Sequence, residues 1–171
     1  MSEKVKVDDS ARLREIRLLV EKNNKSTLDS NLVICQIYME SRFDAHAEVA
    51  HNAKGLMQMQ TNAVKQVFQY RKEKEIGRKV NKIEQDDEFS KGKSFHDSEK
   101  MFDEGINIQI GTEYMQYWLD VSGSVEQAYI KYRGLYGRGE GVYYKKIKSC
   151  ADKLVKEPNS MQSLLDMVKT K

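Results

Sequence analysis

From Ile106 to Trp118 large apolar residues recur every four positions, at Ile106, Ile110, Tyr114 and Trp118, with Met115 and Leu119 alongside. That spacing puts the side chains on one face of an α-helix, whereas a strand, with a period of two, would not segregate them this way. Little in the chain interrupts such helices, because it has 10 glycines and 1 proline in 171 residues. Hydrophobic residues at 39% and charged residues at 32% fit a soluble, mainly α protein. The length suits one domain, residues 1–171, of about six to eight helices around one core.

The remaining segments follow the same period. Residues 10–22 read as an amphipathic helix capped by Asp9 or Ser10, with Leu13, Ile16, Leu19 and Val20 inward, and Asn23-Asn24-Lys25 breaks it. A second helix starts near Thr27 to Asp29, and an irregular stretch runs from Phe43 to Gly55. Leu56 to Tyr70 resumes a helical pattern with Ala63, Val64, Val67 and Phe68 apolar. Residues 71–100 are dense in Lys, Glu and Asp, and read as a charged insertion: a helix plus loop over the core, or a mobile flap. Ser124 and Gln127 offer a capping box for a helix from Val125 to about Arg133, with a glycine-rich loop after it from Gly134 to Gly141. A further helix carries Val142, Ile147, Cys150, Ala151 and Leu154 and ends before Pro158. Asn159 or Ser160 then caps a C-terminal helix within 158–171.

Several function classes find no support. A net charge of +3, from 29 basic and 26 acidic residues without a basic block, gives no footprint for nucleic acid. Residues 1–25 show no signal peptide, and the longest apolar run, 32–39, is too short for a transmembrane segment. Export by a specialised route, or loss of a leader, is therefore expected. Cys35 and Cys150 are too far apart for a Cys-x-x-Cys motif, and read as small core residues or as a disulfide formed in an oxidising compartment. His46 and His51 beside Glu48 lack a third ligand at a suitable spacing, so neither metal nor cofactor is expected.

The candidate for chemistry is Glu40. It ends the run Leu32-Val33-Ile34-Cys35-Gln36-Ile37-Tyr38-Met39 and shares a helix face with Val33 and Ile37. Burial and the negative end of the helix dipole both favour the protonated carboxyl group, the form a general acid needs. A solvated glutamate at a helix end is the competing reading, with Ser41-Arg42 marking the edge of the surface.

Glu40-Ser41-x-Phe43-Asp44-x-x-Ala47 followed by Ala53-x-Gly55-Leu56-Met57-Gln58 resembles the opening motif of the soluble lytic transglycosylase (SLT) family of the lysozyme superfamily, with no insertion or deletion between Glu40 and Gln58. Asn107-Ile108-x-x-Gly111-x-x-Tyr114-Met115 resembles its second block, and Ala128-x-x-x-Tyr132 the start of its third, so the likeness covers roughly residues 28–150. The resemblance implies a lysozyme-like fold with a glycan-binding cleft and a catalytic Glu40 acting as acid and then base. Substrate contacts are implied at Gln58, Tyr132, Gly55, Met57 and Ser41, with the Tyr132 hydroxyl approaching the acid. Such enzymes cut the β-1,4 bond between N-acetylmuramic acid and N-acetylglucosamine, leaving a 1,6-anhydromuramoyl end. Action on peptidoglycan strands in the periplasm or at the cell wall follows, with a secretion machine, a phage particle or an immunity protein as conceivable partners.

The sequence departs from the family at three places. Val49 replaces a usual serine, Thr61 a usual proline, and Arg133-Gly134-Leu135 the usual Asn-Ala-Gly. A hydrolytic muramidase would need a second carboxylate, for which Asp44, Asp86, Asp87 and Asp103 are candidates by type. A non-catalytic module binding murein or a protein partner is the other alternative.

Overall fold

The apolar run at Leu32–Met39 becomes the helix that the others enclose. In the computed structural model, which describes residues 9–49, 52–134 and 140–169 (Asp9 and Glu140 by their backbone), it forms α2, Ser30–Ser41. Asp29, extended, caps its start by accepting from the Asn31 N–H at 2.8 Å. Arg42 ends it in the left-handed conformation, φ 55°, with its N–H returned to the Tyr38 carbonyl. Val33, Ile34, Cys35 and Ile37 are fully buried, so α2 is packed on nearly every side.

The described residues form seven further α-helices: α1 Asp9–Asn23, α3 Thr61–Ile76, α4 Lys82–His96, α5 Glu104–Ser122, α6 Val125–Arg133, α7 Glu140–Lys156 and α8 Met161–Lys169. A short 3₁₀ turn, Glu99–Phe102, precedes α5. Helix α2 packs against α7, α1 and α8, α5 against α1, α3 and α6, and α4 lies along α3. The mainly α expectation holds.

One expected helix starts late. Residues 54–59 form a tight turn closed by two Lys54–Met59 backbone hydrogen bonds of 3.0 and 3.1 Å, and α3 begins only at Thr61. Gly55 and Gln58 have φ of 78° and 51°, which an α-helix cannot contain. Fully buried Asn107 on α5 imposes that turn: its Oδ1 accepts from the Met57 N–H at 2.8 Å, and its Nδ2 donates to the carbonyls of Lys54 at 3.0 Å and Met101 at 2.8 Å. The approach is close enough that a Cβ on Gly55 would stand 2.7 Å from the Met101 carbonyl oxygen, and one on Gly111 would stand 2.8 Å from the Met57 Cβ.

The charged stretch 71–100 divides into the end of α3, helix α4 and the start of the 3₁₀ turn. Asn81 and Glu84 form a reciprocal capping box at the start of α4. Gly92 lets the two helices meet, since a Cβ there would lie 2.8 Å from the Lys65 Cα. At its end, buried His96 reaches the turn. Its Nε2 lies 2.9 Å from the Met59 carbonyl oxygen and its Nδ1 3.2 Å from the Thr61 hydroxyl. A carbonyl only accepts, so Nε2 carries a proton and donates it to Met59, while Nδ1 and the Thr61 hydroxyl share the second hydrogen bond. Thr61, the departure from proline, thus has a partner of its own.

Of the loop expected at 134–141, residues 135–139 lie outside the described residues, while Glu140 and Gly141 already belong to α7. Val142 is half exposed, and the inward stripe of α7 runs instead through Tyr143, Ile147, Cys150 and Leu154. Ser124 caps α6 by accepting from the Gln127 N–H at 3.1 Å.

Replacing Asn107 with alanine strips two carbonyls and one N–H of their buried partner. We expect Asn107→Ala to lower unfolding free energy by about 3 kcal/mol, read from urea denaturation; a loss of less than about 1 kcal/mol would contradict this role.

Candidate active site

Glu40 stands in the last turn of α2, with its side chain only 9% exposed. Its Oε2 accepts a 2.5 Å hydrogen bond from the Tyr143 hydroxyl on α7. Its Oε1 lies 3.5 Å from the guanidinium of Arg133, the last residue of α6, which also sits 5.1 Å over the Tyr143 ring. Arg42 closes the helix end by donating to the carbonyls of Tyr38 at 2.8 Å and Met39 at 2.7 Å. Three helices therefore converge on one carboxyl group.

Opposed forces set its proton affinity. Burial holds the carboxyl group above the ordinary carboxylate range, while the Tyr143 hydrogen bond and then the charges of Arg133 and Arg42 pull it back. Burial, reinforced by Glu40, pushes the Tyr143 phenol well above its usual value, so it stays a donor. The group can hold a proton, and its conjugate base meets partners already in place.

A cavity of about 540 Å³ opens on this acid, lined by Met39, Glu40, Ser41, Arg42, Val49, Ala53, Gln58, Gln60, Tyr132 and Arg133. Four of the six residues expected from the sequence lie on that wall, but not all offer free groups. Ser41 turns its hydroxyl back to the Ile37 carbonyl at 3.1 Å. Gln58 spends its amide as a brace, donating to the carbonyls of Ala47 and Gly55 at 2.8 and 2.9 Å and accepting from the Val49 N–H at 2.9 Å. Gly55 and Met57 lie behind the wall, both buried.

Tyr132 shares the wall with Glu40, and burial, joined by the charge of Glu40, raises its phenol pKa, but it is not hydrogen-bonded to the acid as Tyr143 is. Its hydroxyl donates to the Met57 carbonyl at 2.6 Å, so it ties α6 to the turn, and the hydroxyl on Glu40 is that of Tyr143. Tyr143 was not anticipated, although its place one turn before Ile147 on the buried stripe of α7 was the available signal. His46 stacks on Phe102 with centroids 5.4 Å apart, and His51 lies outside the described residues.

A mainly helical bundle of this kind, among the described residues, is consistent with a lysozyme-like domain. The sequence matches the transglycosylase SLT domain family over residues 17–154, and the chain belongs to that family. At the level of the family this supports a peptidoglycan-cleaving activity of the lytic transglycosylase kind. Neither curated proteins nor solved structures show a significant match.

Because Tyr143 and Arg133 each favour the ionised carboxyl group, Tyr143→Phe and Arg133→Gln should each raise the pKa of Glu40, as followed by carbon NMR of the glutamate carboxyls. An unchanged or lowered value would remove that residue from the acid's environment.

Proposed function

We propose that the protein is a lytic transglycosylase that cuts the β-1,4 bond between N-acetylmuramic acid and N-acetylglucosamine in peptidoglycan strands. The observation that carries this reading is Glu40, whose burial favours its protonated form while it faces a cavity, with a phenol and a guanidinium ready for the carboxylate it becomes. Protonated Glu40 gives its proton to the glycosidic oxygen as the bond to the anomeric carbon breaks. Tyr143 and Arg133 receive the resulting carboxylate. That carboxylate then takes the proton of the C6 hydroxyl as it attacks the anomeric carbon, closing the 1,6-anhydro ring and restoring the acid.

The lining favours this route over hydrolysis. Among the described residues of the cavity wall Glu40 is the one acid. Asp44 accepts from the His46 N–H at 2.9 Å, Asp86 pairs with Lys82 at 2.6 Å, Asp87 with Lys91 at 3.0 Å, and Asp103 caps α5. None of the four lines the cavity, and in transglycosylation the nucleophile belongs to the substrate. Action in the periplasm or at the cell wall follows from the substrate. No helix among the described residues is long and apolar enough to cross a membrane.

The test is digestion of purified sacculi with mass spectrometry of the products. Wild type should release fragments whose muramic ends lack one water, and Glu40→Gln should release them at least about 1000-fold more slowly. Reducing ends as the main product would transfer the reading to a muramidase, and full turnover by the variant would overturn both. The variant should also fold well. A folded-state pKa raised above the unfolded one means that wild type loses stability as pH rises through and above the ordinary carboxylate range, a loss that glutamine escapes.

A further inference from the structure

Cys35 on α2 and Cys150 on α7 are the chain's 2 cysteines, so neither has another thiol of this chain to pair with. They are 115 residues apart in sequence, yet their Sγ atoms stand 2.7 Å apart, both sulfurs in the core with residue exposures of 0% and 2%. Two non-bonded sulfur atoms do not normally approach so closely, whereas thiols placed like this are ready to be joined. We infer that Cys35 and Cys150 are a covalent modification site: an intrachain disulfide that fastens α2 to α7 when the protein folds in an oxidising compartment. This rests on geometry and sequence and not on the proposed activity.

Position gives the cross-link its consequence. Along α2, Cys35 precedes Glu40 by five residues, about 8 Å of helix, and along α7 Cys150 follows Tyr143 by seven, about 10 Å. The helices run antiparallel there, so the sulfur pair and the Glu40–Tyr143 hydrogen bond are successive rungs between the same two helices. A bond at the first rung fixes the spacing at the second.

Chemically, the step is thiol–disulfide exchange with the disulfide of an oxidised dithiol carrier. One cysteine thiolate attacks a carrier sulfur and forms a mixed disulfide; the second displaces the carrier, which leaves with both electrons as its dithiol, its two sulfurs taking up through solvent the two protons that the cysteine thiols give up. Burial pushes the Cys35 thiol far above its usual pKa and leaves it inert once α2 and α7 have closed. Exchange therefore precedes final packing.

The experiment refolds the full chain from denaturant in a buffer of oxidised and reduced glutathione, and separately with excess reductant. Each sample is then denatured in an alkylating agent and weighed. Oxidative refolding should give a monomer that takes up no alkyl group and melts roughly 10 °C above the reduced protein. The reduced protein should take up two alkyl groups. Cys35→Ala and Cys150→Ala should each melt at the same temperature in both buffers. Two alkyl groups after oxidative refolding, a disulfide-linked dimer, or equal melting of the wild type in both buffers would overturn the inference, and the wild-type comparison stands even if a variant fails to fold.

Discussion

Three hydrogen bonds from the amide of Asn107 hold the backbone that forms one wall of the cavity. They fix residues 54–59 in a turn that local preference would not select, with Gln58 left-handed at φ 51°. From that turn the rest follows: the Met57 carbonyl receives the Tyr132 hydroxyl and ties down α6, Met59 receives His96 and ties down α4, and Gln58 braces the strand of chain at 47–49. Buried amides earn their stability only when every polar atom is satisfied, and Asn107 meets that condition.

Against this scaffold the acid is placed under tension between opposing effects. Desolvation alone would make Glu40 a reluctant donor, and ion pairing alone would strip its proton. The geometry supplies both, with one buried phenol and one half-exposed guanidinium on opposite oxygens. Arg133 puts a full positive charge 3.5 Å from one oxygen of the acid. The same opposition suits a group that must lose a proton in one step and regain it in the next.

Much of this was legible in the sequence, and the failures have physical causes. The burial of Glu40 is legible because it ends the continuous apolar run 32–39, which the structure buries on nearly every side. Helix α5 is legible as a helix from its four-residue recurrence, although of Ile106, Ile110, Tyr114 and Trp118 only Ile110 is fully buried and the inward face also carries Asn107, Ile108, Gly111 and Thr112. The second half of the turn, from Leu56, reads as helix because Leu56 and Met57 lead into Ala63, Val64 and Val67; what bends it lies about fifty residues away, at Asn107. Tyr132 lies on the cavity wall beside Glu40, but the hydrogen bond its hydroxyl donates goes to a backbone carbonyl 75 residues away, a pairing that leaves no trace in residue type. Tyr143 was overlooked because a phenol on an apolar stripe looks like core, and its polar tip matters only once α2 is packed against α7.

The central claim is that one protonated carboxyl group, tuned by Tyr143 and Arg133, does the chemistry. The most direct test is the pH dependence of muropeptide release from sacculi by wild type and Arg133→Gln. Release should fall at high pH as Glu40 loses its proton, and the falling limb should lie at higher pH in the variant, where the charge that favours ionisation is gone. A limb at the same pH in both proteins, or a rate still rising where Glu40 is ionised, would contradict the account.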